Sequence, residues 1–222
     1  MTRIRVPGDK SLTQRALILA GLAEGESRLS GLLAGEDPRS TAAAVGALGT
    51  EMPGLPDDGA EIRVIGRGRG GWSTPQAPLD LGNSGTGSRL LLGALAGCDL
   101  SAVVTGDASL RSRPMRRITE PVGAMGARFE YLETEDRLPL RVTGGDLHGV
   151  QLELAVASAQ VKSALLLAGL TGRVDVRLIE PGISRDHTER MLAALGAEIR
   201  REVREDGSVH VELTGTPDRI PP

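Results

Sequence analysis

Apolar residues cluster in three long runs, and each run follows a short polar segment. The runs predict helices over Arg15–Leu22, Arg89–Leu95 and Ser163–Leu170, because they are continuous, rich in Leu and Ala, and free of proline. They recur at intervals of roughly 75 positions, and such a period is the mark of an internal repeat.

A second kind of helix repeats with roughly the same period and supports the same division. Its copies end at Gly49, Gly126 and Gly196, where glycine suits the residue that terminates a helix. Between the helices, short β-branched stretches alternate in polarity and predict strands. The strand candidates are Ile62–Ile65, Ala102–Thr105, Phe129–Leu132, Leu140–Thr143, Gln151–Leu154, Val174–Leu178 and Val209–Leu213.

Each repeat is therefore predicted to contain, in order, a strand, a helix, a strand, a helix and two strands. Such βαβ units favour mostly parallel pairing, with the last hairpin antiparallel. The segment Gly66–Pro78, rich in Gly, Arg, Ser and Pro, is expected to be a surface connection. The prolines of Thr216–Pro222 rule out a helix or a central strand, so this segment is interpreted as a linker.

Composition narrows the class of protein. The net charge of −3 argues against bulk nucleic-acid binding, and no apolar run is long enough to cross a bilayer. A single cysteine, Cys98, cannot form an internal disulfide and suits a reducing compartment. We therefore expect a soluble, cytoplasmic protein with no nucleic-acid or membrane partner. No His, Cys, Asp or Glu spacing suggests a metal site, and no cofactor is expected.

The polar segment before each long helix is a candidate anion site, because free N–H groups point outward where a helix begins. The first holds Lys10, Ser11 and Arg15. The second is Asn83-Ser-Gly-Thr-Gly-Ser-Arg89, whose glycines allow a ligand to approach the backbone closely. Ordinary helix capping remains the alternative for each of these segments.

Three further stretches add candidates of the same kind. Arg113 precedes a helix expected to begin at Pro114, and the neighbouring arginines 111, 116 and 117 are interpreted as solvated. Ser158 and Gln160 open the third long helix, while Ser184 and Arg185 precede the last one. All offer hydroxyl, amide or guanidinium groups suited to a phosphorylated, sugar-like ligand.

Taken in order, these motifs are very similar to those of the 5-enolpyruvylshikimate-3-phosphate synthase family. The matching stretches are Pro7-Gly-Asp-Lys-Ser, Gly82-Asn-Ser-Gly-Thr, Gly106-Asp with Ser109-Leu and Arg113-Pro-Met, Ser158-Ala-Gln-Val-Lys-Ser, and Glu180-Pro with Ser184-Arg-Asp-His-Thr. The related UDP-N-acetylglucosamine enolpyruvyl transferases share the architecture but differ in the first motif.

The resemblance implies an α/β fold, an inside-out α/β barrel of three βαβαββ repeats. It implies a crossover strand at 1–12 that belongs to a second domain, a shikimate-3-phosphate-binding domain at 13–215 with units at about 13–78, 79–148 and 149–215, and a linker at 216–222. The implied reaction transfers the enolpyruvyl group of phosphoenolpyruvate to the 5-hydroxyl of shikimate 3-phosphate, with release of phosphate.

The resemblance also implies roles for individual residues. Lys10 corresponds to a catalytic lysine that contacts both substrates. The implied contacts of shikimate 3-phosphate are Lys10, Ser11, Arg15, Ser158, Gln160, Ser184 and Arg185. The implied contacts of phosphoenolpyruvate, or of the inhibitor glyphosate, are Lys10, Gly85, Arg113 and Gln160. Leu90 and Ala159 differ from one branch of the family, so glyphosate sensitivity stays open.

The family places further catalytic carboxylates and basic residues on its second domain, which this chain lacks. We therefore expect the chain to bind substrate with little turnover, and the second domain to be a further partner. Two alternatives stay open at this point: a self-sufficient dimeric enzyme, and a non-catalytic scaffold that binds another protein.

Overall fold

The computed structural model describes residues 6–222, and the third unit has the predicted order of helices and strands. Residues 1–5, part of the expected crossover strand, lie outside the described residues. Residues 10–12 lie in the first helix rather than in a strand. The first unit contains α1 (Lys10–Leu22), β1 (Glu24–Leu29), α2 (Glu36–Ala47) and β2 (Ile62–Arg67).

The second and third units repeat one pattern, with a short extra helix in the second. The second unit contains β3 (Leu79–Asp80), α3 (Gly85–Ala96), β4 (Ser101–Thr105), α4 (Ala108–Arg111), α5 (Arg116–Gly123), β5 (Arg128–Tyr131) and β6 (Leu140–Thr143). The third contains β7 (Val150–Glu153), α6 (Ala159–Gly172), β8 (Val176–Glu180), α7 (His187–Ala194), β9 (Glu198–Val203) and β10 (Val209–Gly215).

The sheets of the second and third units have the same topology. Their strand orders are β3-β4-β6-β5 and β7-β8-β10-β9, so the first strand pairs with the second and the last strand lies between the second and third. Only the first pair in each sheet is parallel, and the other two pairs are antiparallel. The prediction of mostly parallel pairing is therefore wrong, because the closing hairpin inserts its last strand beside the second strand.

The long apolar helices lie inside and the sheets lie outside. Almost every residue of α3 is buried, and α6 is buried from Val161 to Thr171. A helix that is apolar on all sides must be covered on all sides. These helices approach each other closely at Gly93 of α3, where a Cβ atom would stand 2.2 Å from the carbonyl oxygen of Ala164 in α6. This arrangement is the predicted inside-out α/β architecture.

One connection and one helix start differ from the sequence-based predictions. Gly66 and Arg67 extend β2, and Trp72 is buried, with its indole N–H donating to the Gly21 carbonyl oxygen at 3.1 Å. The segment 66–78 is thus partly core rather than a surface connection. The helix expected from Pro114 begins two residues later, at Arg116.

The last seven residues, 216–222, form no helix or strand but lie against the first unit. Ile220 is buried, and its carbonyl oxygen accepts a hydrogen bond from the Glu24 N–H at the start of β1 (3.0 Å). The Arg69 guanidinium donates to the carbonyl oxygens of Pro217 and Asp218, both at 2.7 Å. The segment therefore covers one end of β1.

Within residues 6–222, no helix is both long and apolar enough to span a bilayer.

Cys98 is a free thiol buried at the end of α3, and burial raises its pKa to about 12. With that pKa, only about one thiol in ten thousand is ionised at pH 8. We expect an aromatic disulfide reagent at pH 8 to label the folded protein at least ~10³-fold more slowly than the protein unfolded in guanidinium. Complete labelling of the folded protein at the unfolded rate would contradict this burial.

Candidate functional site

Three helices begin in the same way, with a polar side chain that caps the first turn. Asp9 accepts the N–H of Leu12 in α1 at 2.8 Å, and Ser84 accepts the N–H of Gly87 in α3 at 3.0 Å. Ser158 caps α6 in the same geometry, with a longer contact. Each cap fixes where its helix begins and leaves the positive end of the helix dipole facing outward.

Side-chain hydrogen bonds hold these helix starts together. Gln14 of α1 donates to Ser84, the cap of α3. Gln160 in the first turn of α6 donates to Thr86 of α3 at 3.1 Å. Because α3 is bonded to both neighbours, three positive helix ends converge on one face of the protein.

Two arginines crowd the start of α3 at Gly85. A Cβ atom on Gly85 would stand 2.7 Å from Nη1 of Arg113 and 2.9 Å from Nη1 of Arg89. Arg113 is held by Asn83 and by the Ser109 hydroxyl, to which it donates at 3.1 Å. A Cβ atom at this position would require the two guanidinium groups to shift.

Arg117 joins this pair through Gln160, and we call Arg89, Arg113 and Arg117 the arginine cluster. The Gln160 Oε1 atom accepts from Nη1 of Arg89 at 3.3 Å and from Nη2 of Arg117 at 3.1 Å. Among residues 6–222, no carboxylate forms an ion pair with any member of the cluster. Burial, together with repulsion from Arg117 and Arg113, lowers the pKa of Arg89 to about 10. The Nε atom of Arg89 is buried without a partner.

A second group, made of buried charged residues, lies next to the starts of α6 and α7. Glu180, at the end of β8, is fully buried and accepts a hydrogen bond from the Ser184 hydroxyl at 2.8 Å. Its other oxygen lies 2.6 Å from Nζ of Lys162, which is also fully buried. The Oε1 atom of Glu189 lies 2.7 Å from the same Nζ. This contact is an ion pair but does not have the geometry of a hydrogen bond. We call Lys162, Glu180 and Glu189 the buried triad.

Arg15 is buried between α1 and the third unit rather than open to a ligand. Its guanidinium donates to Thr188 at 2.7 Å and to Ser163 at 3.0 Å, and Nη1 donates to the carbonyl of Ser11. Desolvation lowers the pKa of Arg15, and the charge of Arg185 adds to the shift. Arg15 therefore joins the first and third units. Ser11, at the start of α1, is half-buried.

Lys10 and Arg185 are placed at the edge of this face. Lys10 is 53% exposed and forms an ion pair with Asp37 at the start of α2, at 2.9 Å. Arg185 is exposed in the loop before α7. The structure thus places Arg113 beside Gly85 and links Gln160 to Gly85 through Arg89. It links Ser158 to Ser184 through Glu180. Among the described residues, Lys10 makes no hydrogen bond to either group.

Sequence reasoning missed Arg89, Arg117 and the buried triad. Arg117 was expected to be solvated and instead reaches Gln160, while Arg111 and Arg116 pair with Glu133 and Glu135 as surface groups. A signal was available for Arg89 and Lys162, since each is a lone charged residue inside an apolar helix. Charged side chains are almost never fully buried unless they are paired.

Comparisons with known proteins agree on one family. The family model described as EPSP synthase (3-phosphoshikimate 1-carboxyvinyltransferase) matches residues 1–219. Proteins named 3-phosphoshikimate 1-carboxyvinyltransferase are similar to the chain: that of Nitrobacter winogradskyi (strain Nb-255) is 51% identical over 219 residues, and that of Granulibacter bethesdensis is 52% identical over 217. Each alignment covers 97% of this chain but only 49% and 47% of the relative.

A solved structure gives the same result for the fold. The EPSP synthase of Acinetobacter baumannii matches 97% of this chain and 48% of its own length, with a TM-score of 0.85 and 40% sequence identity. The chain therefore spans about half the length of the relatives it matches. Its sequence and its fold place this chain in the EPSP synthase (3-phosphoshikimate 1-carboxyvinyltransferase) family.

Proposed function

We propose that this chain is the shikimate-3-phosphate-binding half of an enzyme that transfers the enolpyruvyl group of phosphoenolpyruvate to shikimate 3-phosphate and releases phosphate. The arginine cluster carries this proposal. Three guanidinium groups beside a helix start, without a carboxylate partner among residues 6–222, form a site that a carboxylate or phosphate would neutralise.

Phosphoenolpyruvate matches this cluster because it carries both a carboxylate and a phosphate. Arg113 and Gln160 would contact it, and Gly85 would leave room for it beside the start of α3. The Ser158 and Ser184 hydroxyls and Arg185 would hold the 3-phosphate of the other substrate. Arg15 would act by keeping α1 against α6 and α7, because its nitrogens are already bonded there.

Lys10 would approach both substrates from the start of α1 and help to move a proton. Its ion pair with Asp37 is half-exposed, so it is weak enough to be exchanged for a ligand. The chain spans about half of its relatives, and we propose that a second half supplies further catalytic groups. Because oriented acid and base groups contribute roughly 10²–10⁴-fold, we expect little turnover from this chain alone. We place it in the cytoplasm.

The proposal is tested by calorimetric titration of the chain with shikimate 3-phosphate, and then with phosphoenolpyruvate in its presence. We expect both titrations to saturate, and we expect Arg113→Met to weaken phosphoenolpyruvate binding by about tenfold or more, since a charged hydrogen bond contributes about 1.5–3 kcal/mol. Arg111→Met is the matched control, because Arg111 pairs with Glu133 outside the cluster.

Two results would contradict the proposal. The first is no binding of shikimate 3-phosphate at millimolar concentration. The second is an equal effect of the two arginine variants on phosphoenolpyruvate. Phosphate release measured at several protein concentrations checks the turnover, and activity rising steeply with concentration would favour a self-sufficient dimer.

A further inference from the structure

We propose that Glu180 is a positioning residue for the phosphate of the bound shikimate 3-phosphate. It touches no substrate atom itself; it holds Ser158 and Ser184 in place in the unliganded protein, so that both are positioned before the phosphate binds. The inference rests on the proposed function and extends it to a buried group for which the sequence offered no role.

Glu180 connects two loops that are separate in sequence. Its Oε1 atom accepts from the backbone N–H of Ser158, before α6, at 3.1 Å. The same atom accepts from the Ser184 hydroxyl, before α7, at 2.8 Å, and Oε2 lies 3.0 Å from that hydroxyl. One carboxylate therefore sets the separation of the two serines.

Lys162 makes this arrangement workable in a buried place. A buried carboxylate without a partner is costly, and the Lys162 ammonium lies 2.6 Å from Oε2. The Ser184 hydroxyl has one hydrogen, which it donates to Glu180 in this structure. When a phosphate oxygen arrives, that hydrogen turns toward it and the bond from Ser184 to Glu180 is given up, while Lys162 and the Ser158 N–H still satisfy Glu180. Glu180 therefore orients Ser184 in the unliganded protein, before the phosphate binds.

Glu189 provides a control of the same kind within the buried triad. It lies 2.7 Å from Nζ of Lys162, as Glu180 does, but neither of its carboxylate oxygens bonds to a serine of the site. Glu180→Gln and Glu189→Gln each remove one negative charge from the same lysine. Only the first should disturb Ser158 and Ser184, so the pair separates positioning of the phosphate from support of the fold.

The experiment measures the dissociation constants of shikimate 3-phosphate and of unphosphorylated shikimate by calorimetry. The proteins are the unmodified chain, Glu180→Gln, Glu189→Gln, Ser184→Ala and the double variant Glu180→Gln/Ser184→Ala. We expect Glu180→Gln to weaken shikimate 3-phosphate about tenfold while shikimate changes less than about threefold. The double variant should lose less affinity than the product of the two single losses, because Glu180 acts on the phosphate partly through Ser184.

Several outcomes would overturn the inference while leaving the proposed function intact. They are unchanged binding by Glu180→Gln, an equal loss with Glu189→Gln, an equal loss for shikimate, or effects of Glu180→Gln and Ser184→Ala that multiply to about a hundredfold. If the unmodified chain binds neither ligand, the proposed function itself fails, and this inference fails with it.

Discussion

Replacing Lys162 by methionine is expected to lower the free energy of unfolding by about 3–5 kcal/mol, the cost of leaving buried charges without their partner. Lys162 and Glu180 are fully buried, and Glu189 is 4% exposed. Without the ammonium group, both carboxylates stay buried with no ion-pair partner among the described residues, although Glu180 keeps hydrogen bonds from Ser158 and Ser184. A loss of this size is a large part of the roughly 5–15 kcal/mol that stabilises a typical protein.

The chain supplies a matched control, because its only other lysine is Lys10. Lys10→Met also removes one ion pair, but Lys10 is 53% exposed, so a change below about 1 kcal/mol is expected. Urea unfolding, followed by the fluorescence of the buried Trp72, measures both variants. Equal stability of the two variants would contradict the role of Lys162.

A triple variant keeps the test decisive even if Lys162→Met alone does not fold. Lys162→Met with Glu180→Gln and Glu189→Gln removes all three charges at once. Because the unpaired charges are then gone, we expect this variant to regain much of the lost stability. A triple variant less stable than Lys162→Met would show that the carboxylates are tolerated without the lysine.

Replacing Gly93 by alanine is the second change with a large expected effect. The added Cβ would stand 2.2 Å from the carbonyl oxygen and 2.6 Å from the Cα atom of Ala164. These are backbone atoms of α6, so no side-chain rotation relieves the clash, and the two central helices must separate. We expect a loss of about 3 kcal/mol or more, at the upper end for overpacked cores.

Gly46→Ala is the control for Gly93→Ala, and its expected sign is opposite. Gly46 also lies in a helix, α2, but the added Cβ would meet only the Met52 Cβ at an ordinary 3.5 Å. Alanine there should stabilise the protein by up to about 1 kcal/mol, because glycine is a poor helix former. If both variants lost the same free energy of unfolding in urea, the close contact of α3 with α6 would not be the cause of the loss in Gly93→Ala.

The sequence was most informative where a local rule decides the structure. The three apolar helices follow from continuous apolar runs, and the caps Ser84 and Ser158 follow from the polar residues just before them. The repeat also predicted that the starts of these helices lie on one face of the protein, because similar units place their equivalent helices in similar positions. All the ligand contacts stay predictions: Lys10, Ser11, Arg15, Gly85, Arg113, Ser158, Gln160, Ser184 and Arg185.

Strand pairing and β1 were harder to predict, because they depend on distant partners. The stretch Glu24–Leu29 contains three charged residues and lacks a clear alternation, yet it forms a strand because β2 pairs with it antiparallel. Likewise, the order of strands in each sheet depends on where the closing hairpin packs. A local pattern contains neither piece of information.

The buried charges were the least predictable part of the site. Lys162 is separated from Glu180 and Glu189 by 18 or more positions, so the pairing depends on how α6, β8 and α7 pack. Arg89 likewise donates hydrogen bonds to Gln160 and to the carbonyl oxygen of Pro114, which lie outside its own helix. A lone charge in an apolar helix indicates that partners exist, but only the fold identifies them.

The contact between Ile220 and Glu24 has a consequence for the synthesis of this chain. The residue that covers the end of β1 leaves the ribosome roughly 200 positions after β1 itself, which is about 10–40 s at 5–20 residues per second. During that interval the Glu24 N–H at the start of β1 lacks this partner, and an unpaired strand N–H can pair with another chain. The first unit therefore gains this contact only after the third unit has been synthesised.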